Sequence, residues 1–321
     1  MDGEALVQLA LSALSCTQKQ LAAKLGVSPT QISKWKQGEH LSSEMQEKLR
    51  AIAGIGDKDP RFVLWAGSIE QASKWERLMH YLAELADEGA DTGYHTYPLQ
   101  DELGLLCWET FDVLREMGVA LPREFPKELD RDYEEDDGEE DLGEEIGELI
   151  DQNPYSAVIY NIYKSIADVY GFYAAYVAEL VEDDELNLMD TPACNIEPCL
   201  MSLAACKIDV EQEFAPGILE FRYRVKNDYK EWLTIVKDRA FRAGIPLRAE
   251  LLSLVYDSNT ELGHEAEAES LGFNASRLHP DIYMNELLVG MRTIHQVLPA
   301  IIKKLGIHEE FQLDTSELRL N

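Results

Sequence analysis

The sequence is short of several things, and each shortage narrows the reading. It has 321 residues but only 29 Lys and Arg, against 60 Asp and Glu. A formal charge of −31 would repel phosphate if it were spread evenly. No run of about 18 apolar residues is present, so no transmembrane helix is expected. The apolar stretch Ala5–Leu14 has no basic flank before it, which argues against a signal peptide. Five cysteines (Cys16, Cys107, Cys194, Cys199, Cys206) are an odd number at irregular spacing. They read as free thiols in a reducing cytoplasm and match no zinc spacing. No Gly-rich phosphate loop, nucleophile motif or cofactor signature occurs. Glu261 and His264 form half of a carboxylate-bridged metal motif without its second copy. No enzyme, cofactor or metal is therefore expected.

The charge is distributed unevenly. Residues 1–58 carry seven Lys/Arg and six Asp/Glu, and within Thr17–Gly38 there are four lysines and no acid. One short surface is basic while the remainder is strongly acidic, which suggests two separate tasks.

The pattern from 17 to 38 is Thr-Gln-x-x-Leu-Ala-x-x-Leu-Gly-Val-Ser-x-x-x-Ile-Ser-x-Trp-x-x-Gly. Leu21, Ala22 and Leu25 make the inner face of a helix over Gln18–Leu25, with Thr17 as its cap. Gly26 supplies the positive φ of a tight turn. Ser28 caps a second helix and Pro29 takes its first position, where the missing N–H costs nothing. Val27, Ile32 and Trp35 close the small core. Ser28, Pro29, Thr30, Gln31, Ser33 and Lys34 are left outward, where a helix of this size can enter a major groove.

These residues resemble the Cro/C1-type helix-turn-helix family of repressors, the XRE family. The resemblance covers about fifty residues. It implies that Thr30, Gln31 and Lys34 read bases and that Gln18 contacts backbone and base. It further implies that Lys19, Ser28, Lys36 and Ser42 touch phosphates. It also implies double-stranded DNA as partner and a homodimer, since one recognition helix reads only a few base pairs. The first helix, Glu4–Ser15, is apolar enough to suggest packing on another domain or subunit.

The rest reads as helical: an all-α chain with a small helix-turn-helix head (1–58) and a larger helical-bundle body. Amphipathic helices are expected at Ser68–Asp87 and Leu99–Gly118 within a segment 59–126. Residues 128–151 hold fourteen acids and one base, so 127–153 is expected to be an acidic linker or loop. A domain at 154–321 would oligomerise or bind a partner. There, Ile159, Ile162, Ile166, Val169, Tyr173, Tyr176 and Leu180 repeat at three and four along Tyr155–Val181. Met284, Leu287, Met291, Ile294, Leu298, Ile301 and Leu305 do the same, and both are seam patterns expected in helix–helix contacts. Pro299 should break or kink the second. Further helices are expected near Ile196–Lys207, Tyr229–Ala243 and Leu247–Leu262.

Residues 218–226 fit either a strand, by alternation, or a helix starting at Pro216; the helical neighbours favour helix. The basic residues of 222–248 read as an ordinary helix surface. The seven aromatics between Tyr155 and Tyr176 read as core more readily than as a ligand pocket. The expected function is a cytoplasmic, sequence-specific DNA-binding regulator, a repressor. The alternative is an antitoxin-like adaptor whose acidic body sequesters a basic protein and uses the head for autoregulation.

Overall fold

In the computed structural model, which describes residues 2–133, 147–243, 251–273 and 280–306, every described regular element is helical. The head is built from α1 (Asp2–Ala13), α2 (Gln18–Leu25), α3 (Pro29–Lys36) and α4 (Ser43–Ala53). Thr17 caps α2 through a reciprocal box with Gln20, and Gly26 ends it at φ +71°. Ser28 Oγ accepts from the Gln31 amide at 3.2 Å, with Pro29 at the first helical position. Leu6, Val7 and Ala10 of α1, Leu21 and Ala22 of α2, Ile32 and Trp35 of α3 and Leu49 of α4 form the buried centre. The apolar excess of α1 has a structural use. It packs on α3 and α4 and also on α5 (Pro60–Ala66), which lies beyond the head.

Asp59 caps α5, accepting from the amides of Arg61 at 2.7 Å and Phe62 at 3.1 Å. Phe62 then feeds into the body core, 5.1 Å from Phe111 edge to face. Trp75 of α6 (Ile69–Glu88) extends this cluster to Phe111, Phe125 and Tyr155. Two stacked cations fasten the junction from outside: Arg61 lies 3.9 Å over Trp108, and Arg115 lies 4.1 Å over Trp65. The buried apolar residues form one cluster running from Leu6 of the head to Leu262 of the body.

The expected helix over Leu99–Gly118 divides into α7 (Tyr97–Gln100) and α8 (Leu106–Glu116). Asp101 adopts φ +51°, and its Oδ1 accepts from the Leu106 amide at 2.9 Å, so it starts a new helix instead of continuing the old one. Leu103, between the two helices, consequently stands 83% exposed.

The body is organised on α9 (Pro154–Tyr176), capped by Asn153, whose Oδ1 accepts from the Tyr155 amide at 2.9 Å. Around it pack α6, α11 (Leu200–Ala205) and α14 (Asn259–Ser270). Gly263 of α14 sits where any Cβ would strike the Asp168 carboxylate, which allows the two helices to close. The seam does not run unbroken to Val181. Val177 is buried with φ −114°, and α10 (Ala178–Glu182) follows as a separate turn.

The ambiguous 218–226 segment is helix, within α12 (Ile218–Ala243). Ile218, Phe221, Val225, Tyr229, Leu233 and Val236 line its buried face, whereas Leu219 and Tyr223 face solvent. Helical spacing thus buries more apolar area than the alternation would. A single helix over Leu247–Leu262 is not formed: 244–250 lie outside the described residues, and α13 (Ser253–Tyr256) precedes α14. Ser258 makes a capping box with Glu261 and so begins α14 afresh. That box also occupies the Glu261 carboxylate. In the expected helix near Ile196–Lys207, Pro198 disfavours helix just before it. A 3₁₀ turn at Pro192–Asn195 precedes α11 instead.

The ends of the acidic segment are anchored: Leu129, Tyr133 and Ile150 are all in the core. Its most acidic stretch, 134–146, lies outside the described residues.

The last element, α15 (Pro280–Leu305), continues through Pro299 without ending there. It makes no substantial packing contact with any other described element. Ile294, expected in a helix–helix contact of the body, is 61% exposed. The other described body helices turn their apolar faces to α9, and among the described residues no element packs closely on α15.

Candidate nucleic-acid interface

α3 is held from behind by α1 and α2, which leaves its first turn projecting. Ser28, Pro29, Thr30 and Lys34 are exposed, and Gln31 and Ser33 are half-buried. The positive end of the helix dipole lies among them, favourable toward phosphate or a base acceptor. Not all these groups are equally free. Ser28 Oγ is used as the cap, and the Ser33 hydroxyl donates back to the Pro29 carbonyl at 3.2 Å. Thr30 and Gln31 keep side-chain groups that no described residue engages. Lys19 is exposed and Gln18 and Lys36 are half-buried beside this face. Ser42 is the N-cap residue of α4 without a side-chain cap bond.

One participant lies a residue outside the acid-free window. Glu39, just after Gly38, pairs with Lys34 at 3.2 Å, both side chains about half exposed. Anything that uses the Lys34 ammonium must displace this carboxylate. An exposed pair of this kind holds about 1 kcal/mol at most, so the displacement is cheap. Its only sequence signal was an acid next to the terminal glycine of the motif.

A separate grouping could in principle hold a metal ion. His80, Asp101 and Cys107 bring one ligand atom each within 4.8 Å of one another. The donor set is engaged otherwise. Asp101 Oδ2 accepts from His80 Nε2 at 2.8 Å while Oδ1 caps α8. The hydrogen bond from Asp101 raises the imidazole above its ordinary range. Burial pushes the Cys107 thiol well up, away from the thiolate a metal needs. The arrangement is accounted for as a hydrogen-bonded pair that starts a helix.

No described helix is long and apolar enough to cross a membrane. No curated protein and no solved structure matches the chain. Residues 8–55 match a family model described as helix-turn-helix, covering α2 to α4 and the second half of α1. With the capping box, the left-handed Gly26 turn and the projecting α3, the N-terminal segment is a Cro/C1-type helix-turn-helix, carried by an all-α chain.

Proposed function

We propose that this chain is a sequence-specific regulator of transcription, a repressor that binds double-stranded DNA as a homodimer and catalyses nothing. The observation that carries the reading is the outward polar face of α3 on a matched helix-turn-helix. Thr30, Gln31 and Lys34 are the base readers. Gln18 contacts backbone and base, Lys19, Ser28, Lys36 and Ser42 touch phosphates, and Pro29 and Ser33 complete the outward face.

The dimer reading is supported by α15. Met291, Ile294, Leu298, Ile301 and Leu305 keep seam spacing on a helix of about 39 Å, and all are exposed. A second copy laid along this helix would cover the seam. A two-fold pair of heads would follow, reading two half-sites.

The test is selection of bound sequences from random DNA by the full chain. An inverted repeat is expected, and enrichment of no sequence would overturn the reading. On the selected site, Thr30→Ala and Gln31→Ala should each lose about 1–3 kcal/mol and little on random DNA. Lys36→Ala should weaken both kinds of DNA and lower the log–log salt slope by about one per head.

A further inference from the structure

A cavity of about 700 Å³ opens between α7–α8 on one side and α9, the end of α10, the segment after it and α11 on the other. It has the size of a ligand pocket for a small molecule. Its chemistry is one-sided. Asp101, Glu102, Glu109, Glu182 and Glu197 line it, and no Lys, Arg or His does. Asp101 is satisfied by His80 and the start of α8. The other four carboxylates have no cationic partner among the described residues. Glu109 is set deepest in charge terms: burial, then the neighbouring Asp101 and Asp112, push its carboxyl up to about 7.

The acids share the cavity with apolar and aromatic surface, which distinguishes it from a bare acidic cluster. Ile166, Leu200 and Met201, all nearly fully buried, make the floor. Tyr97 and Tyr170 meet edge to face with centroids 6.1 Å apart, and both line the cavity. At the rim, Leu103 and Leu105 are exposed without apolar cover. Carboxylates with aromatic rings and an apolar floor recognise one chemical class well: an organic cation whose charged head is attached to a hydrophobic body. An anion would be repelled by every charge present. A bare metal ion would make no use of the floor or the rings.

We propose that this cavity binds a small organic cation, an amine or guanidinium with an apolar tail. The cationic head lies between Glu109 and Glu197 and the tail lies on Ile166, Leu200 and Met201. The cation supplies the charge that the lining lacks. The site is independent of the DNA interface, so its existence does not rest on the head's function.

The experiment is calorimetric titration of the full chain with three probes of nearly equal shape: 4-phenylbutylamine, 4-phenylbutanol and 4-phenylbutyrate. The amine should bind at least about tenfold more tightly than the alcohol, and the acid should give no heat. Glu109→Gln and Glu197→Gln should each cost the amine several-fold and leave the alcohol unchanged. Glu102→Gln, at an exposed position that cannot threaten folding, should cost it about twofold to threefold. Equal affinities for amine and alcohol, or an amine affinity untouched by all three substitutions, would overturn the proposal. So would displacement of the amine by millimolar calcium chloride at constant ionic strength, which would make the cavity a simple ion site.

Discussion

α9 and α15 carry the same three-and-four repeat of large apolar residues, and the structure treats them oppositely. Ile159, Ile162, Ile166, Val169 and Tyr173 are buried, whereas Met291, Ile294, Leu298, Ile301 and Leu305 face solvent. The difference lies off the stripe. On α9, Tyr163, Ser165, Ala167, Gly171 and Phe172 are buried as well, so it is covered on several sides. Such a helix is a core helix. Beyond Gly290, α15 carries Arg292, Thr293, His295, Gln296, Lys303 and Lys304 beside its seam, and its apolar residues, Val297 among them, are exposed. Periodicity shows that a helix has an apolar face. The residues beside that face show whether its own chain can surround it.

The largest expected effect sharpens this contrast directly. Ile166→Asp places an unpaired carboxylate in the core and beside an already acidic cavity. It should cost about 3–5 kcal/mol and abolish or sharply lower the cooperative melt. A melt unchanged from the parent would show that α9 is not central to the body.

A smaller effect is expected where α8 meets the cavity in front of α9. The Glu109 carboxyl, at about 7, is raised above its ordinary value, so the folded state holds its proton more tightly than the unfolded state. Its contribution to stability should therefore be lost as pH rises from about 4.5 to about 7. Glu109→Gln removes that dependence. It should stabilise the chain by about 1–2 kcal/mol at pH 8, after allowance for solvent screening, and by almost nothing at pH 4. Equal denaturant midpoints for parent and variant at pH 8 would contradict this.

The smallest effect on the single chain is expected from Ile294→Asp. The side chain is already in solvent, so the melt of the dilute chain should move by less than about 1 kcal/mol. Sedimentation should nonetheless show the dimer lost, and affinity for a two-half-site operator should fall while affinity for a half-site stays. Loss of the melt without change in mass would break the comparison between the two helices.

The head was largely legible in the sequence because its signals are local. Thr17, Gly26, Ser28, Pro29 and Gly54 fix helix ends by their own chemistry, and the observed bounds of α2 match the pattern. The body was legible as helices but less so at their joints. The break at Asp101 depends on a side chain choosing the Leu106 amide, and the start of α14 depends on Ser258 meeting Glu261. Both are single hydrogen bonds that periodicity ignores. The cavity was not legible. Its acids come from 101–109, 182 and 197, ordinary surface residues until the fold gathers them. Tyr170 belongs to the aromatic set read as core. It is nearly buried and still lines the cavity.

The unbroken apolar cluster from Leu6 to Leu262 bears on how the chain can be cut and recombined. A head ending at Gly54 or Lys58 would expose the α1 surface that α5 covers, and a body starting at Ser68 would lose Phe62 from beside Phe111. Transplanting the recognition unit onto another body should succeed only when the graft carries Pro60–Ala66 and supplies partners for Trp65 and Arg61. Scanning calorimetry of the intact chain should correspondingly give one endotherm for head and body together, with the enthalpy of a single cooperative unit.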